Sequence, residues 1–322
     1  VNQNKEVLCS IIIRCYNEEK HIAKLLAGIS QQTINNIELI LVDSGSTDST
    51  LNIASKYQTN LVYISPEEFS FGRALNYGCG AAKGKYLVFI SAHCWPIYDD
   101  WLEHLLEPFH DKKVGLVYGK QRGNEQTKFS EEQIFRSWFP ENSDYDQKHP
   151  FCNNANCAIK KELWNKIPYD EDLTGLEDLD WAKKAINEHD YKIAYSSSAT
   201  IIHVHEETPK SILNRYRREA IALKHIFPEE RFTIFDFIKL SFINVLADIS
   251  KLSLNRKMVR NLTDIFSFRI MQFWGTYIGF KTGNYISPSL KKTFYYPNHI
   301  TENKKCQMEK PAKQPIDYQK FQ

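Results

Sequence analysis

Residues 7–30 read VLCSIIIRCYNEEKHIAKLLAGIS, and the order of their apolar residues decides the fold. Residues 7–13 form a short continuous apolar run, the pattern of a strand covered on both faces. Asn17 then stands as a cap before EEKHIAKLLAGIS, where Ile22, Leu25, Leu26 and Ile29 recur at helical spacing. The unit is a strand followed by a helix.

The unit recurs along the chain. IELILV (37–42) leads through a turn to a short helix from about Asp48 to Tyr57, and LVYI (61–64) leads to a helix rich in small residues (72–83). YLVFI (86–90) is followed by a helix over about 99–109 and the strand VGLVYG (114–119). Such alternation implies an α/β protein with a Rossmann-like, mostly parallel sheet, helices on both faces and right-handed crossovers. Residues 120–150 are polar and aromatic without a period, and are expected to form a mobile excursion. Order resumes with NNANCAIKKELW (153–164), the acidic YDEDLTGLEDLDW (169–181) and a helix to about His189. A strand (191–195), IIHVHEE (201–207) and the arginine-rich helix KSILNRYRREAIALKHIF (210–227) follow.

With 322 residues, 42% of them apolar and 13% aromatic, the chain can bury a large core, which excludes disorder for most of it. Its seven cysteines are odd in number and contain no CxxC pair, so a zinc ribbon or dithiol redox function is not indicated and a reducing compartment is. No signal-like segment and no membrane-length apolar run is present, and a cytoplasmic location is expected. The net charge of +2 hides an asymmetry: residues 231–322 carry 15 Lys+Arg against 6 Asp+Glu, whereas residues 1–230 carry 26 against 33. Two regions follow, a catalytic domain over 1–230 and an amphipathic helical region with a polar basic tail over 231–322. In the second, FTIFDFIKLSFINVLADISKL (232–252) and IFSFRIMQFWGTYIGF (265–280) are interrupted by Asp236, Lys239, Asp248 and Arg269 too often to span a bilayer. They are either helices packed on the catalytic domain or in an oligomer contact, or interfacial helices on an anionic membrane at the inner face of the cell. The last forty residues or so are polar and expected to be poorly ordered. No nucleic-acid-binding unit is recognisable, and nucleic acid is not an expected partner.

In a doubly wound sheet, ligands bind at the carboxyl edge of the strands. The residues there are RCYNEE (14–19), DSGSTD (43–48), SPEEFSFG (65–72) and SAHCWP (91–96). No GxGxxG follows the first strand, which argues against a dinucleotide-dependent oxidoreductase. A nucleotidyltransferase would need a glycine-rich basic loop in the same place. A carboxylate at Asp43, ahead of a tight turn, can accept hydrogen bonds from a base and a ribose. Glu177 and Asp178 are adjacent acids at a helix start, where mutual repulsion raises one pKa toward the range of a general base.

SIIIRCYNEE, ELILVDSGSTDST, the helix ending in KGKYLVFI, NNANCAIKKELW and GLEDLDW, in this order, resemble glycosyltransferase family two, the inverting sugar-nucleotide transferases of the GT-A fold. The resemblance covers roughly residues 7–225. It implies a nucleoside-diphosphate sugar as donor, UDP being the commonest, and a glycan or lipid-linked acceptor, as in capsule or O-antigen synthesis. It also implies Asp178 as general base with Glu177 in support, and Arg14, Tyr16, Glu18 and Asp43 against the nucleotide. Arg73 lies two residues before Leu75, where related enzymes often carry an arginine, and is a further nucleotide-binding candidate. Asn153, Asn154 and Asn156 can meet sugar hydroxyls, and Trp95 can stack on a sugar or fill the core. The helix arginines Arg215, Arg217 and Arg218 suit an anionic acceptor or a donor phosphate.

The family usually ends its fourth strand in Asp-x-Asp, which holds a divalent cation on the donor diphosphate. Here Ser91, Ala92 and His93 occupy those positions, with Ser91 and His93 expected on one side of the strand. His203 and His205 are again two apart in an extended segment. The histidines either ligate a cation, manganese in preference to magnesium, or neutralise the diphosphate with Arg73 and Lys83 and no metal. The departure also leaves open a catalytically degenerate fold that only binds glycan or nucleotide.

Overall fold

The computed structural model describes residues 6–252, 258–281 and 315–318; the polar tail, including Cys306, otherwise lies outside the described residues. The chain runs through β1 (Cys9–Cys15), α1 (Ile22–Ser30), β2 (Ile37–Asp43), α2 (Thr50–Ala54), β3 (Thr59–Tyr63), α3 (Phe71–Ala81), β4 (Tyr86–Ser91), β5 (Cys94–Pro96) and α4 (Trp101–Leu106). It continues through β6 (Val114–Arg122), α5 (Phe129–Trp138), β7 (Asp144–Gln147), β8 (Asn156–Lys160), α6 (Lys161–Trp164), α7 (Glu177–His189) and β9 (Lys192–His203). Three longer helices follow, α8 (Pro209–Ile226), α9 (Ile234–Ile249) and α10 (Met258–Lys281).

Among the described residues these strands form one sheet in the order β3-β2-β1-β4-β8-β6-β9-β5, with β7 paired to β9. β1 is parallel to β2 and β4, and β2 to β3, as the strand–helix repeats require. β8 enters antiparallel to β4 and β6. Alternate residues of β1 serve opposite cores. Ile11 and Ile13 pack with Leu25, Leu26 and Trp101 on one face, and Ile12 packs with Leu75, Phe89 and Trp181 on the other. Fully burying each such isoleucine contributes about 1.5–3 kcal/mol, which explains why this strand admits no polar residue between Ile11 and Ile13.

The expected mobile excursion is instead ordered. Residues 129–138 are helical and 144–147 pair with β9, because Phe135, Phe139 and Phe151 pack around Tyr118 and because Glu141 receives both Lys120 and Arg122. No periodic pattern announces a helix whose buried face is completed by aromatics from three separate elements.

The C-terminal helices pack on the catalytic sheet's own helices. α10 lies so close along α8 that a Cβ at Gly275 would stand 2.4 Å from the Leu213 carbonyl oxygen, and one at Gly279 2.5 Å from that of Arg217. α9 and α10 are tied to α5 by a buried network. Arg269 donates through Nε to Asp248 Oδ2 (2.7 Å) and through Nη2 to Oδ1 (3.0 Å), and Ser130 Oγ donates to Asp248 Oδ2 (2.6 Å). Arg269→Ala would leave the Asp248 carboxylate buried without its countercharge, and is expected to lower the unfolding free energy by about 3–5 kcal/mol in a urea titration. A loss below about 1 kcal/mol would show that the pair does not hold these helices in place.

Candidate functional site

The loops after β1 and β2 are laced together at the carboxyl edge. Asn17 adopts a left-handed backbone (φ 55°), and its Oδ1 accepts from the Thr47 amide (2.8 Å). It therefore pins the neighbouring turn and does not cap α1, which begins at Ile22 after His21. Asp48 accepts from the amides of Thr50 (2.9 Å) and Glu19 (3.1 Å). Asp43 is 0% exposed, and its Oδ2 accepts from the amides of Gly45 (3.0 Å) and Ser46 (3.1 Å). In this structure the Asp43 carboxylate holds the turn from inside. Tyr16, 56% exposed, and Glu18 remain at the loop surface.

The paired acids open α7. Leu176 precedes them in a left-handed conformation (φ 56°, ψ 28°), an unfavourable state for a branched side chain that turns the chain abruptly into the helix. Asp178 Oδ2 accepts from the Asn154 amide (2.9 Å) and Oδ1 from the Leu179 amide (2.9 Å). Burial, and next the charge of Glu177, push its carboxyl up to about 7, against the pull of those two amides and of Arg14. Glu177 Oε1 accepts from Arg14 Nη1 (3.0 Å), which also donates to the Phe71 carbonyl (3.2 Å). Arg14 therefore reaches the acid pair. Asn153 Oδ1 accepts from Gln121 Nε2 (3.1 Å), and the amide nitrogen Nδ2 of Asn154 is buried with no hydrogen-bond partner.

The three histidines converge. Ring centroids of His203 and His205 are 4.1 Å apart, and that of His93 lies 5.1 and 5.4 Å from them. One ring nitrogen from each falls within 4.8 Å of the other two. Each Nδ1 is engaged by an oxygen: Glu18 Oε1 for His93 (2.9 Å), Gln121 Oε1 for His203 (2.7 Å) and Glu131 Oε1 for His205 (2.8 Å). A carboxylate or amide oxygen only accepts, so in a neutral ring these bonds place the proton on Nδ1 and leave the lone pair on Nε2. Nε2 of His203 is buried without a partner. Burial holds both His203 and His205 well below the usual histidine range, with further lowering by His93 and Arg215, so both rings are neutral at pH 7. Imidazoles oriented through Nδ1, with one ring nitrogen of each close to the other two, fit a divalent cation of borderline softness.

A cavity joins the two groups, lined by Phe135, Phe139, Asn153, Asp178, His203 and Arg215 among others. A shallower hollow beside it is bordered by Asn17, Glu18, Asp48, His93, His205 and Glu206.

Other candidates fall elsewhere. β4 ends at Ser91 and residues 92–93 form a turn, so Ser91 and His93 do not share a strand face. Trp95 is buried on β5, stacked on His21 and edge-on to Tyr318, and serves the core. Asn156 is wholly buried, accepting from Trp101 Nε1 and donating to the carbonyls of Lys120 and Ala199, which makes it a staple between strands. Arg73 pairs with Glu171 (2.7 Å) on the flank of α3. Arg215 is taken by Glu131 (3.1 Å) and Glu207 (2.6 Å), which removes it as a ready phosphate ligand. Gln121 and Glu131 escaped the sequence reading because both fall in the stretch that lacks periodicity.

A mixed α/β sheet flanked by helices is the fold of GT-A glycosyltransferases, and here its edge gathers two acids and a histidine cluster. Residues 10–167 match the Glycosyl transferase family 2 model, so this stretch carries a domain of that family. Among curated proteins it is 30% identical over 201 residues to the O-antigen chain rhamnosyltransferase WbaN of Salmonella anatum, covering 59% of this chain and 63% of that one. The match thus spans somewhat under two thirds of that relative. Among solved structures, the mannosyltransferase PcManGT from Pyrobaculum calidifontis, in complex with GDP-Man and Mn2+, superposes with a TM-score of 0.59 at 16% identity. That superposition covers 83% of this chain and 87% of that one. Glucosyl-3-phosphoglycerate synthase from Mycobacterium tuberculosis, with Mn2+, UDP and phosphoglyceric acid, gives 0.53 at 21% identity over 68% and 78%. At these identities the structures establish a shared fold.

Asp43→Ala removes the acceptor for two turn amides and is expected to cost about 1–3 kcal/mol of stability, read by denaturant titration. A variant as stable as the parent would show that the carboxylate does not hold the turn.

Proposed function

We propose that this chain moves a sugar from a nucleoside diphosphate to a hydroxyl of a glycan acceptor, free or lipid-linked, with inversion at the anomeric carbon. The observation that carries the reading is Asp178, a buried carboxyl raised to about 7 and facing the cavity that the histidines also line. The acceptor O–H gives its proton to Asp178 as its oxygen bonds to the anomeric carbon. The bond from that carbon to the diphosphate oxygen breaks on the opposite face, and the electron pair leaves with the nucleoside diphosphate. Arg14 Nη1 holds the Glu177 carboxylate at 3.0 Å, which positions the second acid beside the base.

His93, His203 and His205 would hold a divalent cation, and such a cation neutralises the charge that grows on the departing diphosphate. Nitrogen ligands favour manganese over magnesium. Mn2+ beside GDP-Man or UDP in the two solved neighbours supports this reading, as it supports a nucleoside-diphosphate donor. The nucleotide would lie against the loops after β1 and β2, where Tyr16 is 56% exposed and Glu18 borders the hollow.

Asp178→Asn is expected to lower turnover by about 10² or more while donor affinity, measured by calorimetry, stays within a few-fold. In the parent, kcat/KM should rise with pH and level off above about 7, because the base accepts a proton only when ionised; that limb should vanish in the variant. Turnover near the parental rate would remove Asp178 from the mechanism. Donor binding without any turnover in the parent would favour a glycan- or nucleotide-binding protein. Separately, His203→Ala should abolish stoichiometric Mn2+ binding followed by electron paramagnetic resonance, and retention of binding would move the cation off the histidines.

A further inference from the structure

α9 is apolar on both sides, and only one side is covered. Leu240, Val245 and Asp248 face inward, Leu240 joining a cluster with Phe273 and Phe280 of α10 and with Leu223 of α8. On the opposite side Phe235 is 78% exposed, Ile238 57%, Phe242 64% and Leu246 49%. Their spacing of three, four and four residues draws one stripe along the helix, with Ile243 beside it. Val259, Phe266 and Ile270 draw a second exposed stripe on α10. Contiguous apolar surface of this kind marks a docking face.

The charges on α9 identify the occupant. Lys239 stands exposed within the stripe, between Ile238 and Phe242, and Lys251 is exposed just past the helix end. The two carboxylates of α9 are turned away from solvent work: Asp236 closes the capping box with Thr233, and Asp248 is buried on Arg269. Along the stripe the helix therefore offers aromatics and cations, its half-exposed acid Asp236 being held at the first turn by the cap, in a region whose residues 231–322 hold 15 basic against 6 acidic side chains. A two-fold contact with a second copy would bring like charges together, whereas an anionic lipid surface complements them. No described helix is long and apolar enough to cross a bilayer, so the contact is with the surface.

We propose that the outer stripe of α9 inserts into the interfacial layer of an anionic membrane, with Lys239 and Lys251 at the level of the headgroups. The network of Asp248, Arg269 and Ser130 then fixes the catalytic sheet relative to the lipid. The inference goes beyond the transfer reaction and does not depend on it, since binding is measured without donor or acceptor.

The full chain is floated with vesicles of phosphatidylcholine alone and of phosphatidylcholine with phosphatidylglycerol, at low and high salt. Recovery with the anionic vesicles should exceed that with the neutral ones by about tenfold and should fall with salt. Phe235→Ser combined with Phe242→Ser should cut binding at least about tenfold. Both side chains face solvent, so the variant should keep the parental circular dichroism and melting temperature. Lys239→Glu should weaken binding to the anionic vesicles alone. Absence of flotation at low salt overturns the proposal, as does binding that survives the double substitution. Light scattering that shows a dimer dispersed by the same substitutions would assign the stripe to a second copy and equally overturn it.

Discussion

Glu131 is 3% exposed, and a carboxylate so far removed from water persists as an anion only where donors replace its hydration. Burial pushes its pKa up and Arg215 pulls it back. Its Oε1 accepts from His205 Nδ1 and from Arg215 Nη2, which brings the end of the β9 segment and α8 to a single atom on α5. One residue earlier, Ser130 bonds to Asp248 of α9, and Asp248 to Arg269 of α10. The placement of His205 thus depends on a chain of buried polar contacts that passes through every C-terminal helix. Removing one member of such a chain leaves the next charged and dry, which is why these contacts rigidify the site.

The same arrangement changes the electrostatics of the sheet edge. An Asp-x-Asp pair puts negative charge directly on a cation. Here the atoms nearest the centre are ring nitrogens, and the carboxylates of Glu18 and Glu131 stand one hydrogen bond farther out. Such oxygens orient each ring and raise the basicity of its outer nitrogen. Gln121 does the orienting for His203 without adding charge. The centre is therefore less anionic than one built from two aspartates, and a doubly negative diphosphate meets less repulsion on approach.

Asp178 and the histidines are set by different means. Asp178 rises because it is buried beside Glu177, while Arg14 clamps Glu177 and two amides steady Asp178 itself. His203 and His205 stay neutral chiefly because they are buried, with His93 and Arg215 nearby lowering them further. A base poised near neutrality and a set of uncharged ligands then border one cavity, although no single segment of chain carries both.

The strand–helix order, the parallel half of the sheet, and the acids and histidines at strand ends and a helix start are legible along the chain. Each of these is a local matter: an apolar run of seven residues, a helical period, or a short pattern such as GLEDLDW that the chain carries wherever it folds. Which polar residues hold the fold emerges only when distant elements meet. Asp43 and Asn156 have the right chemistry for binding, yet their partners are backbone groups of turns and strands close in space. Trp95 is buried because His21 and Tyr318, distant in sequence, pack on its ring. Gln121, Glu131 and the ordering of residues 129–147 were invisible because their partners lie on other elements up to more than a hundred residues away, as Ser130 and Asp248 do. A long-range hydrogen bond leaves no period in the sequence, and only folding brings its two ends together.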